Sequence, residues 1–253
     1  MFSCIPEEIK VQILRDALVQ QVLEEQREML LEDPSFIKHI KNPSESFQIL
    51  AVQEDGCNIR FIKNPSEEIQ KMAVEQNGYS IEFIEKPSEE IKMLAVSENG
   101  NAIQYIDFPS EELQRMAVLE CDDSIEYIEF PSEEIQKLAV SKNGYNIEYI
   151  RNPSEELKRI AVEKCPTVIQ YINFPSIELQ KLAVSINGNI IVYIENPSEE
   201  VQYMAIKERA SSIKYIKNPT MKIQWLAVFW CPSVIQYIEN PTKELQTLAM
   251  KYN

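Results

Sequence analysis

Ten prolines recur at a constant interval of 22 residues, with no insertion or deletion between them. They are Pro43, Pro65, Pro87, Pro109, Pro131, Pro153, Pro175, Pro197, Pro219 and Pro241. A fixed period of this length indicates that each repeat is one supersecondary unit, which buries its apolar surface by stacking on its neighbours. This period constrains the fold more than any other feature of the chain.

Each repeat follows one pattern, P-[S/T]-E-E-[I/L]-Q-K-[L/M]-A-V-x-x-N-G-x-x-I-x-[Y/F]-I-x-[N/F], whose positions are numbered 1 to 22 from the proline. In Pro131–Val140 the apolar residues at positions 5, 8 and 9 have the i, i+3, i+4 spacing of an α-helix. The I-x-Y-I segment at positions 17 to 20, as in Ile147–Ile150, predicts a second and shorter helical segment of the 3₁₀ type. A strand is the weaker alternative for this segment.

Both ends of the predicted α-helix carry capping signals. Asn152 is expected to be the N-cap, with Glu155 as its capping-box partner, and serine at position 2 is expected to cap where phenylalanine precedes the proline. At the other end, Asn-Gly at positions 13 and 14, as in Asn143-Gly144, predicts a glycine in the left-handed conformation. All five glycines of the chain occupy position 14.

The first 33 residues lie outside the period. The segment Pro6–Glu32 has no internal proline and predicts one long amphipathic helix, which we expect to cap the array. From residue 34 the period resumes and places His39 where other repeats carry Tyr or Phe. The predicted fold is all-α: an α-solenoid of about ten tandem helix–short-helix repeats over residues 34–253, preceded by an N-terminal capping helix over residues 1–33.

The formal net charge is −15, from 40 acidic and 25 basic residues. Such a charge repels a phosphate backbone, so direct binding of nucleic acid is not expected. The five glycines and the single histidine, His39, disfavour Gly-rich phosphate loops and most imidazole-based metal or acid–base sites. We therefore expect a non-enzymatic protein that uses no metal or cofactor.

The five cysteines show no C-x-x-C spacing, which predicts reduced thiols rather than disulfides or a zinc site. Cys121, Cys165 and Cys231 share one position at the end of the predicted helix and are expected to be small packing residues. The sequence shows neither a signal peptide at its start nor a run of apolar residues long enough to span a membrane. These features predict a cytoplasmic protein without a membrane partner.

Acidic residues concentrate in the middle of the chain. Residues 87–152 hold 14 acidic and five basic residues, whereas residues 153–253 hold ten and eleven. The position 3 carboxylates are expected to pair with the base at position 7, as in Glu133 with Lys137. The carboxylates left over predict either a solvated face or an acidic ladder that docks a partner with a basic surface. The candidate residues are Glu90, Glu112, Glu126, Glu129, Glu134, Glu148 and Glu156.

Glutamine at position 6 and tyrosine at position 19 form two further columns. The glutamines predict a ladder of side-chain hydrogen bonds between neighbouring repeats, with capture of a peptide backbone as the alternative. The tyrosines, from Tyr105 to Tyr237, are expected to pack with their hydroxyls in water, with a recognition stripe as the alternative.

Aromatic residues replace polar ones near the end of the array. Position 7 is Tyr203 and then Trp225 in adjacent repeats, and Phe229 and Trp230 follow. Exposed aromatic residues are typical of interfaces. The cluster predicts an apolar patch for a homodimer or a second protein partner, or else rings folded inward as a cap.

The PSEEIQKLAV-type helix followed by I-x-Y-I resembles the short helical-repeat solenoids. These include the HEAT-like repeats, the leucine-rich-repeat variants that alternate an α-helix with a 3₁₀ segment, and uncharacterised repeats of large phages and viruses. The resemblance covers residues 34–253. It implies a binding scaffold, and no catalytic residue carries over from it.

Together these features predict a scaffold or adaptor that docks a protein partner through the acidic ladder or the aromatic patch. The alternative is an acidic mimic of nucleic acid, of the kind a virus directs against host defence, which would inhibit a basic nucleic-acid-handling protein. A homo-oligomeric structural spacer is the second alternative. Reversing Glu112, Glu134 and Glu156 to Lys is expected to abolish the acidic binding mode alone.

Overall fold

The computed structural model describes residues 7–252, with Glu7 described by its backbone alone. Within this range the chain is helical and contains no strand. The α-helices are α1 (Glu7–Glu32), α2 (Glu45–Glu54), α3 (Glu67–Gln76), α4 (Glu89–Glu98), α5 (Glu111–Glu120), α6 (Glu133–Lys142), α7 (Glu155–Lys164), α8 (Ile177–Ile186), α9 (Glu199–Glu208), α10 (Met221–Trp230) and α11 (Lys243–Tyr252). The 3₁₀ helices are η1 (Pro34–His39), η2 (Gly56–Phe61), η3 (Gly78–Phe83), η4 (Gly100–Tyr105), η5 (Asp122–Tyr127), η6 (Gly144–Tyr149), η7 (Pro166–Tyr171), η8 (Gly188–Tyr193), η9 (Ala210–Tyr215) and η10 (Pro232–Tyr237).

The all-α repeat architecture predicted from the 22-residue period is confirmed. Each repeat contributes one α-helix of ten residues, and all but the last add one 3₁₀ helix of six residues, so the I-x-Y-I segment is not a strand. The chain divides into two compact units, residues 1–128 and 129–253. Within each unit consecutive α-helices pack side by side in one layer of the α-solenoid, and consecutive 3₁₀ helices pack in a second layer.

The hydrophobic core lies between these two layers. In the repeat that begins at Pro65, the α-helix buries Ile69, Ala73 and Val74, and the 3₁₀ segment buries Ile81 and Ile84. The small alanine at position 9 is fully buried and allows neighbouring repeats to approach closely. The residue at position 8 is only half-buried, so one face of each α-helix remains open to solvent.

The serine at position 2 caps the α-helix, so the predicted Asn152 cap is wrong. Ser154 Oγ accepts a hydrogen bond of 3.2 Å from the backbone N–H of Leu157, and α7 begins at Glu155. Asn152 lies two residues before this cap, with φ at 52°. The proline therefore precedes the helix instead of forming its first turn.

One residue at position 13 caps both helices of a repeat. The backbone N–H of Asn77 donates to the Ala73 carbonyl at 3.0 Å and ends α3. The side-chain oxygen Oδ1 of Asn77 accepts a 3.0 Å hydrogen bond from the N–H of Tyr79 and starts η3. Because a single asparagine satisfies backbone groups of both elements, the angle between them is fixed locally.

The glycines at position 14 are needed for space, and the left-handed conformation predicted for them is wrong. Among residues 7–252 no glycine has a positive φ. A Cβ at Gly100 would lie 2.5 Å from the carbonyl oxygen of Ala117 in the next repeat. Glycine therefore lets the backbones of neighbouring repeats come close together.

The left-handed conformation instead occurs at position 22, immediately before the proline. Asn64 has φ 49°, and Phe108 and Phe174 have φ values of 50° and 51°. Asparagine tolerates this region, whereas a bulky residue is strained in it. Phe108 and Phe174 are also 99% and 98% exposed, so packing does not offset their strain.

The predicted glutamine ladder between repeats is wrong. Each position 6 glutamine donates from Nε2 to the carbonyl oxygen of the proline in its own repeat, as Gln70 does to Pro65 at 3.0 Å. The same bond is made by Gln48, Gln114, Gln136, Gln180, Gln202, Gln224 and Gln246. The glutamine therefore holds the turn before its own helix.

Exchanging Phe108 and Asn64 tests the strain at position 22. We expect Phe108→Asn to raise the free energy of unfolding by about 1 kcal/mol, because asparagine adopts a positive φ at less cost. Asn64→Phe should lower it by a similar amount. Urea unfolding followed by circular dichroism measures both changes. A loss of stability in Phe108→Asn would contradict this account.

Candidate functional site

The structure divides the seven candidate carboxylates between two layers. All seven side chains are exposed. The position 4 members lie on α-helices: Glu90 and Glu112 in the first unit, and Glu134 and Glu156 in the second. Glu126 and Glu148 lie at position 18 on 3₁₀ helices, and Glu129 lies on the segment that precedes α6. They therefore do not form one continuous ladder on a single layer.

On the α-helical layer, position 4 carboxylates pair with lysines of the preceding repeat. Lys137 Nζ lies 2.9 Å from Glu156 Oε1, and Lys71 Nζ lies 3.7 Å from Glu90 Oε1. The hydrogen bond from Lys137 lowers the pKa of Glu156. The expected pair of Lys137 with Glu133 is therefore wrong, and Glu90 and Glu156 are not left uncompensated.

A groove of about 570 Å³ lies along α7 and α8 in the second unit. Its charged side chains pair with one another. Arg159 contacts Glu163 at 2.6 Å, and Lys181 contacts Glu178 and Glu200 at 3.0 and 2.8 Å. Because these charges are satisfied within the chain, the groove offers few free ionic groups to a partner.

The rings at position 19 form a second surface, which we call the aromatic stripe. Within each unit it follows the 3₁₀ layer: Phe61, Phe83, Tyr105 and Tyr127 belong to the first unit, and Tyr149, Tyr171, Tyr193, Tyr215 and Tyr237 to the second. Six of these tyrosines are 37–45% exposed. Each ring therefore packs on the layer with one side and meets solvent with the other.

Cations of the chain itself lie over successive rings of the stripe. The guanidinium carbon Cζ of Arg60 is 4.7 Å from the ring centroid of Phe61 and 5.7 Å from that of Phe83 in the next repeat. Lys214 Nζ is likewise 4.7 Å from Tyr215 and 5.9 Å from Tyr237. A side chain at position 18 thus reaches the space between two neighbouring rings, which we call a notch.

In three other repeats the position 18 side chain is acidic, as Glu82, Glu126 and Glu148. The charge of Glu126 is the main cause that raises the pKa of Tyr127. At Tyr105, partial burial raises the pKa most, and the charge of Glu82 raises it further. Glu148 occupies the same position in the second unit. The notches at Glu82 in the first unit and at Glu148 in the second therefore combine an aromatic face with a negative charge, whereas those at Arg60 and Lys214 already hold a cation.

One notch of the second unit is open and neutral. A shallow cavity of about 380 Å³ is lined by Val192 at position 18 together with Thr167, Asn187, Asn189, Ile190, Tyr193 and Tyr215. Valine is shorter than the lysine found at the same position one repeat later. The space between Tyr193 and Tyr215 is therefore open to an incoming side chain.

Tyrosines at position 15 support two rings of the stripe. Tyr79 meets Tyr105 edge to face with 6.0 Å between ring centroids, and Tyr145 meets Tyr171 in the same way at 6.2 Å. The Tyr145 hydroxyl also lies 2.7 Å from the Thr167 hydroxyl. These contacts hold the two rings in place.

The predicted aromatic patch lies on the α-helical layer of the second unit. Trp225 and Phe229 are one helical turn apart on α10 and are 38% and 56% exposed. Trp230 is 40% exposed, and its ring centroid lies 6.0 Å from that of Tyr203 on α9. Phe229 contacts Tyr252 of α11 at 6.1 Å. All four predicted residues lie on a different layer from the stripe, and the ring contacts form two separate pairs, Trp230 with Tyr203 and Phe229 with Tyr252.

The remaining features concern metal ligands, thiols and membrane-spanning helices in the described residues. Among residues 7–252, no three His, Cys, Asp or Glu side chains are grouped as a metal site requires. His39 ends η1 and lies beside Phe36, with ring centroids 5.4 Å apart. No disulfide joins Cys57, Cys121, Cys165 or Cys231, and all four are half-buried. None of the described helices combines the length and apolar character needed to cross a membrane.

Sequence reasoning missed the residues that mark the notches, namely Arg60, Glu82 and Lys214. The sequence feature that could have identified them is the variation in residue type at position 18, one residue before the aromatic ring. This column changes between basic, acidic and neutral residues, while its neighbours at positions 17 and 19 stay nearly constant.

Comparison of the chain with protein-family models, with curated proteins and with solved structures gave no match.

The phenol of Tyr127 offers a direct test of the electrostatics in the stripe. We expect Glu126→Gln to lower the pKa of Tyr127 towards its ordinary value, because the negative charge that opposes phenolate formation is removed. A pH titration by NMR with labelled tyrosine measures the shift, and Tyr127→Phe assigns the signal. Glu129→Gln serves as the control. An equal shift in both variants would contradict a local effect.

Proposed function

We propose that this protein is a non-enzymatic repeat scaffold, which binds a basic segment of a partner protein in the notches of the aromatic stripe. The observation that carries the proposal is the placement of Arg60 and Lys214 over successive rings. These side chains occupy notches as Lys or Arg of a partner would. Where Glu82 or Glu148 replaces them, the chain supplies a carboxylate and leaves the cation to the partner.

The chemistry of a notch favours a cation over other ligands. A cation over an aromatic ring gains roughly 0.5–2 kcal/mol, depending on how much water is excluded. The nearby carboxylate adds an ionic attraction that salt weakens. Each single contact is therefore modest, and affinity depends on several notches being filled by one segment.

The repeat spacing suggests how the basic residues of the segment are arranged. Packed helices lie ~8–10 Å apart, which corresponds to about three residues of an extended chain. A segment with Lys or Arg at every third position would therefore match successive notches within one unit. The net charge of −15 would attract such a segment from a distance.

Two further observations bear on the choice of function. The resemblance to short helical-repeat solenoids supports a binding role for the array. The alternative, an acidic decoy for a nucleic-acid-handling protein, requires an uncompensated row of carboxylates. On the α-helical layer Glu90 and Glu156 pair with Lys71 and Lys137, which favours a stripe that binds a basic segment.

A synthetic peptide with arginine at every third position is the probe, and the same peptide with neutral citrulline is its control. We expect the arginine peptide to bind and the citrulline peptide to bind at least about tenfold more weakly. Isothermal titration calorimetry measures both affinities. Equal binding of the two peptides would overturn the proposal.

A variant that fills one notch distinguishes binding in the notch from an effect of net charge alone. Glu82→Arg should place a cation between Phe83 and Tyr105, as Arg60 does one repeat earlier, and weaken peptide binding roughly tenfold. Glu85→Arg makes the same change of charge outside the 3₁₀ helix and is the matched control. If both variants weaken binding equally, only net charge matters and the notch is not the site.

Variants on the α-helical layer test whether the peptide binds to the acidic residues or to the aromatic patch instead of the stripe. Glu112→Lys with Glu134→Lys, and separately Trp225→Ser with Phe229→Ser, should leave peptide binding within about twofold of the unmodified protein. A large loss in the first variant would favour the acidic α-helical layer. Displacement of the peptide by a basic nucleic-acid enzyme, together with inhibition of that enzyme, would favour the decoy.

A further inference from the structure

Helix α1 is long and almost wholly exposed, and it carries many large apolar side chains. It has 26 residues, about 39 Å at the rise of an α-helix. Within the described chain it packs only against α2 and η1, and Leu30 in its last turn is its one buried residue. Leu14 and Leu18 are 70% and 62% exposed. The apolar side chains of α1 are not confined to one face, so the amphipathic pattern predicted for this helix is wrong.

One seam of α1 has the spacing of a coiled coil. Alternating steps of four and three residues join Val11, Arg15, Leu18, Val22, Glu25 and Met29, so these six residues share one side of the helix. The four apolar members are 43–62% exposed. A row of exposed large apolar side chains is typical of a helix that packs against a partner helix.

The charges in this seam identify the partner helix. In a parallel pair of α1 helices, Arg15 would face Arg15 of the second copy and Glu25 would face Glu25, which is unfavourable. In an antiparallel pair centred near residue 20, Arg15 faces Glu25 of the second copy, and Glu25 faces its Arg15. The same arrangement places Val11 against Met29 and Leu18 against Val22. Every pair of facing residues in the seam is therefore complementary.

We propose that α1 is a homodimerisation helix, which pairs antiparallel with α1 of a second copy of this chain. Among residues 7–252 Arg15 has no ion pair, so the second copy supplies its only carboxylate. The Glu25 carboxylate accepts one hydrogen bond, of 2.9 Å from Gln21 of its own helix, and keeps further lone pairs for Arg15 of the second copy. The dimer uses neither the aromatic stripe nor the patch at Trp225.

The full chain and its charge variants test the proposal by analytical ultracentrifugation over a wide dilution series. We expect a dimer of twice the 29.4 kDa chain mass. Arg15→Glu and Glu25→Arg should each weaken the dimer by about a hundredfold. In either variant, residues 15 and 25 of the two copies carry like charges at both symmetry-related contacts. The double variant Arg15→Glu, Glu25→Arg should restore dimerisation to near the original strength.

The double variant also separates the two orientations. In a parallel dimer like charges face each other before and after the exchange, so no loss and rescue would be seen. Leu18→Glu should abolish the dimer, whereas Ile13→Glu on the opposite side should retain it; circular dichroism checks that both fold. A monomer at every concentration, the absence of rescue, or equal loss in the Leu18 and Ile13 variants would overturn the proposal.

Discussion

The close approach of neighbouring backbones sets the spacing of the repeats. In the five repeats that have glycine at position 14, this residue lies so near the alanine carbonyl of the next repeat that a methyl group at Gly100 would be 2.5 Å from Ala117 O. The alanine itself is fully buried because a larger side chain would hold the helices apart. Where the next repeat offers an acceptor, the glycine N–H binds it, as Gly56 does with Gln76 at 2.7 Å. This spacing fixes which side chains can meet across a repeat boundary.

The two layers then acquire different surfaces from one sequence pattern. The residue at position 13 ends the α-helix and begins the 3₁₀ helix, so positions 4 and 7 always reach one layer and positions 18 and 19 the other. Ion pairs between repeats, such as Lys137 with Glu156, cover the first layer. Half-exposed rings cover the second. A change in one column therefore alters a single surface and leaves the other intact.

Periodicity allowed the sequence to predict the fold well and the local contacts poorly. The 22-residue period and the i, i+3, i+4 spacing are enough to predict helix, 3₁₀ segment and stacking. The period and the helical spacing do not specify which of two nearby groups a polar side chain binds. Lys137 reaches Glu156 in the next repeat instead of Glu133 in its own helix, and Gln70 turns back to Pro65. The candidate carboxylates were found, but their division between layers depends on geometry that a single pattern does not contain.

The hydrogen bonds between repeats join residues that are close in sequence. Gly56 and Gln76 are 20 residues apart, and Ser124 and Asn101 are 23 apart. Closing such short loops costs little entropy, and contacts of this range are typical of chains that fold rapidly. Within each unit, order can therefore begin at any well-capped repeat and spread to its neighbours. The loss of one repeat contact should then cause local opening first, so amide hydrogens would exchange in blocks that correspond to individual repeats.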